Sequence, residues 1–465
     1  MERPQPASDA EPAVPDRPAA DRPPPAIPAG PNGGGPDPGL GPAPPGDVPG
    51  LRDLLPDEAE SMREIQEAVL AEMRRWGYRF VVTPTLESQD ALALGLDAEH
   101  RRRLFKLTDR DGTVLALVGE RTVPVARLVA GKLRSAPLPQ RLCYAGPVLT
   151  NDPGRFAHRR EAHQTGAELV GAAGPVADAE VIAMAVRCLD AAGLRRYQVD
   201  VGHAEFFQGL LDGLDVRDEV KSGIRAMLAR RDFVALKAVL DETPLRGAEH
   251  ELLLRFPALR GGGEILEAAR GLVRNRRSAR ALEELATVYH LLQTYGFRDH
   301  IGLDLGAIRD FTYYTGVIFE GYGPDLGRPL AQGGRYDHLL ERFGRPAPAT
   351  GFVLYLDLVG EALARSEAVP ELTRLDVAVG WSRAGREAAL QLGSTLRLFG
   401  MRAIVDTQPR ALEAARVWAG DLGARDLLHV GRPDRVLWLG PDGGRRRVPI
   451  DRVVSELGAS RSRTR

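Results

Sequence analysis

The sequence predicts an α+β protein with an antiparallel sheet core, a helical insertion, a small C-terminal α/β domain and a disordered Pro-rich N-terminal tail. Three observations predict it. The first 50 residues hold 16 of the chain's 35 prolines and no aromatic residue. Apolar runs of strand length then recur, each bounded by turn residues, on both sides of a block rich in Leu, Ala and Arg. Finally, short strands alternate with amphipathic helices at the C-terminal end, the pattern of an α/β unit.

The tail, residues 1–47, cannot bury enough apolar surface to offset its ordering entropy, and reads as disordered. The core follows at 48–365. Pro56 and the acids after it open a helix whose apolar stripe is Ile65, Val69, Met73 and Trp76, ending at Gly77. "YRFVVTPTLE" continues as a strand. "LFKLTDRDGTVLALVGE" is a hairpin about the Asp111-Gly112 turn signal, and "PVARLVAGKL" is helical. "QRLCYAGPVL" and "RREAHQTGAELVG" are strands, "PVADAEVIAMAVRCLDAAGL" is an amphipathic helix, and "YQVDVGH" is a strand. The helical insertion spans about 205–296. Strands return with "IGLDLG", "YYTGVIFEGYG", "PLAQGG" and "ATGFVLYLDLVGEAL". From 373 to 459, "LDVAVGW", "RAIVD", "DLLHVG" and "RVLWLG" interleave with helices, predicting a largely parallel sheet. "GGRRRVP" reads as a solvated turn.

A chain of 465 residues exceeds one compact core. Its 43% hydrophobic and 27% charged residues suit a soluble globular protein, and the net charge of −1 gives no global pull toward nucleic acid. Cys143 and Cys188 read as buried reduced thiols. The nine histidines show no metal-ligand spacing. No apolar run spans a bilayer and no signal-peptide core begins the chain, so a cytoplasmic location is expected, with no metal and no cofactor.

Three stretches carry chemistry. In "LVGERTVPVAR", Glu120 and Thr122 precede a helix and, taken alone, read equally well as its cap. In "RREAHQTGAE", alternation places Gln164, Gly166 and Glu168 on one face of a strand. In "AIRDFTYYTGVIFEGYGPDLGRPLAQGGRYDHLLERFG", Tyr313 and Tyr314 beside Arg309, with the glycines of "GGRYD", look like a ligand wall.

Together, and in this order, these stretches resemble the catalytic core of histidyl-tRNA synthetase, a class II aminoacyl-tRNA synthetase-like fold. "PGLRDLLPDEA" is similar to its opening and "GYRFVVTPTLES" to motif 1. "RLCYAGPVL…RREAHQTGAELVG" is similar to motif 2. "IRDFTYYTGVIFE" and "GGRYDHLLERFG" resemble its two histidine-recognition segments, and "ATGFVLYLDLV" stands where motif 3 belongs. "DLGARDLLHVG" resembles its anticodon-binding-like domain. The resemblance implies that Glu120, Thr122, Gln164 and Glu168 hold the α-ammonium of histidine. It places Arg309 near the carboxylate, and Tyr313 and Tyr314 at the imidazole. "RDFTYY" departs from the family's pattern at Asp310 and Thr312.

The nucleotide side departs further. Adenylate formation develops charge on the α-phosphate, which fixed guanidinium groups stabilise. By the resemblance, the motif 2 arginine is replaced by Thr150 and the motif 3 arginine by Leu358. The small glycine before the latter has become Tyr355. A third arginine, two places before Glu120, has become Val118. Thr and Leu cannot reproduce a bidentate fork.

A histidine pocket without ATP machinery resembles the regulatory subunits of ATP phosphoribosyltransferase. That resemblance implies no catalytic residues, a short-form ATP phosphoribosyltransferase catalytic subunit as partner in a hetero-oligomer, and histidine as effector. It also implies self-association as a dimer and no use of tRNA. Two alternatives stand beside it, a divergent histidyl-tRNA synthetase and a binding protein that uses this fold for another partner.

Overall fold

The structure, a computed structural model, describes residues 48–152, 159–229, 232–243, 248–256, 259–306, 313–366, 375–441 and 443–461. The tail expected at 1–47 lies outside them, as do Arg309, Asp310 and Thr312.

Helix α1 (Pro56–Arg75) begins with Pro at its first turn, carries Asp57 and Glu58 there, and ends on Arg74 and Arg75. This order suits the helix dipole. Ile65, Val69, Leu70 and Met73 are its buried stripe, and Gly77, at φ +82°, releases the chain. The expected strand after it is split into β1 (Arg79–Phe80) and β2 (Leu86–Ser88). Pro84 falls in the gap, where a residue without an N–H cannot extend a ladder. Two short helices, α2 (Gln89–Gly95) and α3 (Ala98–Arg102), lead to the hairpin of β3 (Lys106–Thr108) and β4 (Val114–Leu117). Asp109 N–H bonds to Thr113 O and Gly112 takes φ +88°, so its loop has three residues rather than two. Strands β2, β4 and β3 form a small sheet of their own.

Next come α4 (Thr122–Gly131), β5 (Gln140–Leu149), β6 (Glu161–Val170), α5 (Pro175–Ala191) and β7 (Gln198–His203). The insertion supplies α6 (Ala204–Asp212), α7 (Asp218–Ala229), α8 (Phe233–Glu242) and α9 (Ala248–Arg255). It continues through a two-residue strand, β8 (Arg260–Gly261), to α10 (Glu264–Leu272) and α11 (Arg276–Thr294). Strands β9 (Ile301–Asp304), β10 (Val317–Tyr322), β11 (Pro329–Arg335) and β12 (Ala349–Tyr355) follow, then α12 (Leu356–Arg365).

These strands build one nine-stranded sheet in the order β1-β5-β6-β12-β11-β10-β7-β9-β8, antiparallel except at β1/β5 and β7/β9. Cross-strand neighbours share a face. One face is apolar. Cys143, Ala167, Phe352, Leu354, Ala331, Phe319 and Val201 bury there with residues of α1, α5, α11 and α12 in the largest core. The other face is the polar one, and the site lies on it. A buried Arg335–Asp178 pair, with Nη2 to Oδ1 at 2.8 Å, ties β11 to α5.

The last segment has its own sheet. Strands β13 (Val377–Trp381), β14 (Ala403–Val405), β15 (Asp426–Arg432), β16 (Arg435–Leu439) and β17 (Arg445–Pro449) lie in the order β14-β13-β15-β16-β17. Helices α13 (Arg386–Leu398), α14 (Leu412–Asp421) and α15 (Val453–Arg461) pack with it. The sheet is mixed rather than largely parallel, because β16 and β17 return as antiparallel hairpins. The basic run expected as a solvated turn is the edge strand β17. Arg446 lies 3.5 Å over the Trp438 ring, so an arginine's apolar plane covers the edge while its charge stays wet.

Candidate functional site

Three rows of cross-strand partners define the polar face. Leu142, Glu168, Gly351 and Gly334 form the first, across β5, β6, β12 and β11. Tyr144, Gly166, Val353 and Gln332 form the second, and Gly146, Gln164 and Tyr355 the third. The glycines are there for room. A Cβ at Gly351 would overlap the Glu168 carboxylate, and one at Gly334 would lie 2.9 Å from the Tyr314 ring.

Glu168 is the deepest polar group, 1% exposed. The Tyr144 hydroxyl donates to its Oε1 at 3.1 Å and the Tyr336 hydroxyl to its Oε2. Burial pushes its carboxyl up to about 8, against the hydrogen bonds from Tyr336, Thr122 and Tyr144 that favour the charge; Glu120 adds to the rise. The Tyr313 ring stands 4.9 Å from Tyr314 and 5.8 Å from Tyr336, the latter edge-on. Burial holds the Tyr144, Tyr313 and Tyr336 hydroxyls protonated. The result is a box of three tyrosines around one carboxyl group.

Of the residues expected at the site, Thr122, Glu168, Tyr313 and Tyr314 converge on this box. Glu120 is buried beside it, yet its carboxylate accepts the N–H groups of Thr122 at 2.9 Å and Val123 at 3.0 Å. It therefore caps α4 while contributing its charge to the box. Gln164 lies two rows away on the same face, 2% exposed, and its Oε1 has no hydrogen-bond partner among the described residues. Arg309 lies outside the described residues. Sequence reasoning missed Tyr144 and Tyr336. Alternation along "RLCYAGPVL" puts Tyr144 on one face with Leu142 and Gly146, and only the register with β6 sets it opposite Gly166.

Beyond Gln164 the surroundings turn apolar. Val148, Ala162 and Tyr355 are buried together, with Val353 and Leu358 packed on them. Thr150 is 2% exposed; its hydroxyl donates to Arg103 O at 3.3 Å and accepts Asp152 N–H at 3.2 Å. Val118 is fully buried in the neighbouring cluster with Leu104, Val123 and Tyr144. The Tyr355 hydroxyl bonds to Gln332 Oε1 at 3.0 Å, and Gln332 donates to Glu320 at 2.7 Å.

Asp357, next to Leu358, accepts Arg159 Nη1 at 3.1 Å and the His163 N–H at 2.6 Å; the His163 ring Nδ1 stands at 3.6 Å, an ionic contact. Burial works against the Asp357 charge, but the His163 contacts and Arg159 outweigh it and hold its carboxyl below the ordinary value. The same carboxylate raises His163. Among the described residues, no group of three or more His, Cys, Asp or Glu is placed to hold a metal ion. Among them, too, no helix is long and apolar enough to cross a membrane.

Comparisons with known proteins give the family and the fold. A family model for histidyl-tRNA synthetase matches residues 50–359. The ATP phosphoribosyltransferase regulatory subunit of Moorella thermoacetica is 41% identical over 376 residues, covering 80% of this chain and 95% of that protein. The chain belongs to the ATP phosphoribosyltransferase regulatory subunits. Another member, from Syntrophotalea carbinolica, is 38% identical over 78% of this chain and 85% of its own. A Bacillus halodurans structure described as an ATP phosphoribosyltransferase regulatory subunit/histidyl-tRNA synthetase superposes with a TM-score of 0.74 at 31% identity, covering 84% and 99% of the two chains. The histidyl-tRNA synthetase of Nostoc, 18% identical with a TM-score of 0.77 over 90% of this chain, shares the fold.

Proposed function

We propose that this chain is a non-catalytic subunit that acts in the first step of histidine biosynthesis, joining a short-form ATP phosphoribosyltransferase catalytic subunit and relaying inhibition by histidine. One observation carries the reading. The polar box of buried Glu168 and Tyr313 with half-buried Thr122 and Tyr314, and Gln164 along the same face, stands beside a nucleotide side filled by Val148, Tyr355 and Leu358. Thr150 spends its hydroxyl on the local backbone. A phosphate there meets no guanidinium at either replaced position, and each lost donor costs catalysis about 3–4 kcal/mol on the scale of an oxyanion contact. Glu120, Thr122, Gln164 and Glu168 serve the ammonium end of histidine, Arg309 the carboxylate, and Tyr313 and Tyr314 the ring.

Self-association belongs to the same reading. The nine-stranded sheet ends on the two-residue strand β1, beside which Phe80 and Val82 are exposed; an uncovered apolar sheet edge favours pairing. A cytoplasmic location for the complex belongs to the same proposal.

The purified chain should show no histidine-dependent pyrophosphate exchange. Mixed with the short catalytic subunit, it should co-elute as a larger species whose transferase activity falls with histidine. Exchange above a no-enzyme blank would return the chain to the divergent synthetases.

A further inference from the structure

Arg121 has no part in the site as set out above, yet its position is unusual. Its side chain is 3% exposed, and among the described residues it forms no ion pair with a carboxylate. Its neighbour Glu120 has both oxygens on backbone N–H groups. The guanidinium Nη atoms hold main chain and hydroxyls: Nη2 donates to Pro147 O at 2.7 Å and to the Thr85 hydroxyl at 3.5 Å, and Nη1 to Thr83 O at 3.4 Å and the Thr83 hydroxyl at 3.3 Å. Its Nε is buried and has no hydrogen-bond partner among the described residues. Burial lowers its pKa, the direction for a cation short of counter-charge.

The guanidinium lies on the site face of β5. A Cβ at Gly146 would stand 2.5 Å from Nη2 and 3.0 Å from Nε. The cross-strand partner of Gly146 is Gln164, whose Oε1 is the buried acceptor without a partner among the described residues. An unmet donor on a cation and an unmet neutral acceptor therefore sit in one row of the sheet. Buried polar atoms are seldom left unpaired. Two of opposite sense in one row match the head of an α-amino acid, whose carboxylate and ammonium are carried by one carbon. The tyrosine box around Glu168 lies two rows along the same face. A strut role for Arg121 is met by its Nη contacts alone and leaves Nε unexplained.

We infer that Arg121 binds the carboxylate of the α-amino acid in this pocket, with Gln164 accepting from its ammonium group and the side chain directed to the Glu168 box. This rests on the reading of the pocket as an amino-acid site; it adds Arg121 to Arg309 in the carboxylate role and moves Glu168 from the ammonium to the side chain.

The test is a binding cycle by titration calorimetry on the full chain, with histidine, histidinol (hydroxymethyl in place of carboxylate) and 3-(imidazol-4-yl)propionate (no amine) as probes. Wild type should bind histidine at least tenfold more tightly than histidinol, about one charge-assisted hydrogen bond. Arg121→Gln should weaken histidine tenfold or more and leave histidinol within twofold. Gln164→Leu should weaken histidine and histidinol alike and spare the propionate. Arg121→Lys, which keeps the charge, should retain more histidine affinity than Arg121→Gln. Equal loss of histidine and histidinol in Arg121→Gln would make Arg121 a strut and overturn the inference while the pocket reading stands. Should the Gln variant fail to fold, equal affinity of wild type for histidine and histidinol overturns it without any variant. Wild type that binds none of the three probes defeats the pocket reading itself.

Discussion

Glu168→Gln should flatten the pH dependence of folding stability. The wild-type carboxyl has a folded value of about 8 against an ordinary 4.5, because burial disfavours its charge. Between those two pH values the folded chain holds a proton that the unfolded chain has released. Stability is therefore fully present below about pH 4.5 and falls as pH rises toward 8, by up to ~1.4 kcal/mol per pH unit and ~5 kcal/mol in all. Glutamine keeps the shape and the hydrogen bonding to Tyr144 and Tyr336 without the titration. Urea unfolding of both proteins at half-unit steps from pH 5 to 8.5 reads the difference directly, since His163, Asp357 and every other group cancel in the comparison. Wild type should lose stability relative to the variant throughout that range, with the sharpest loss before pH 8. Parallel curves would mean that Glu168 is charged at neutral pH, and the account of the tyrosine box as a poorly hydrated cage would be wrong.

Two further perturbations probe the same face. Gly351→Ala forces a methyl group into the space of the Glu168 carboxylate, so it should cost on the order of 3 kcal/mol, the upper part of the range for an overpacked interior, read as a lower urea midpoint; an unchanged midpoint refutes the packing. Asp357→Asn should lower the His163 titration followed by NMR, since the Asp357 carboxylate is what raises it. The accompanying stability loss, about 1–2 kcal/mol, should be largest between roughly pH 4 and 6.5. There the Asp357 charge, lost as pH falls through its lowered value, coexists with a protonated His163, whose contribution fades as pH rises through its raised one.

Some of this was legible because it is local. Alternation put Gln164, Gly166 and Glu168 on one face from five letters of sequence, and β6 has that arrangement because a strand's side-chain period is two. The reading of Glu120 and Thr122 as a helix start was local too, and Glu120 does cap α4. What escaped depends on register. Tyr144 sits in an apolar run that reads as core, and only the pairing of β5 with β6 turns it toward Glu168. Tyr336 comes from a segment 168 residues downstream of Glu168. Arg121, between two residues of chemical interest, carries no signal of its own; its burial against Gly146 follows from where the chain just before α4 meets β5. The basic run 445–449 was misjudged for the same reason, since it becomes a strand only because β16 offers an edge and Trp438 a surface for Arg446. A polar residue's type and spacing announce that it has work near a site, whereas the identity of its partner is set by strands that meet only after folding. This is why the tyrosines that hold Glu168 had to come from the structure, and why Gln164 and Glu168 did not.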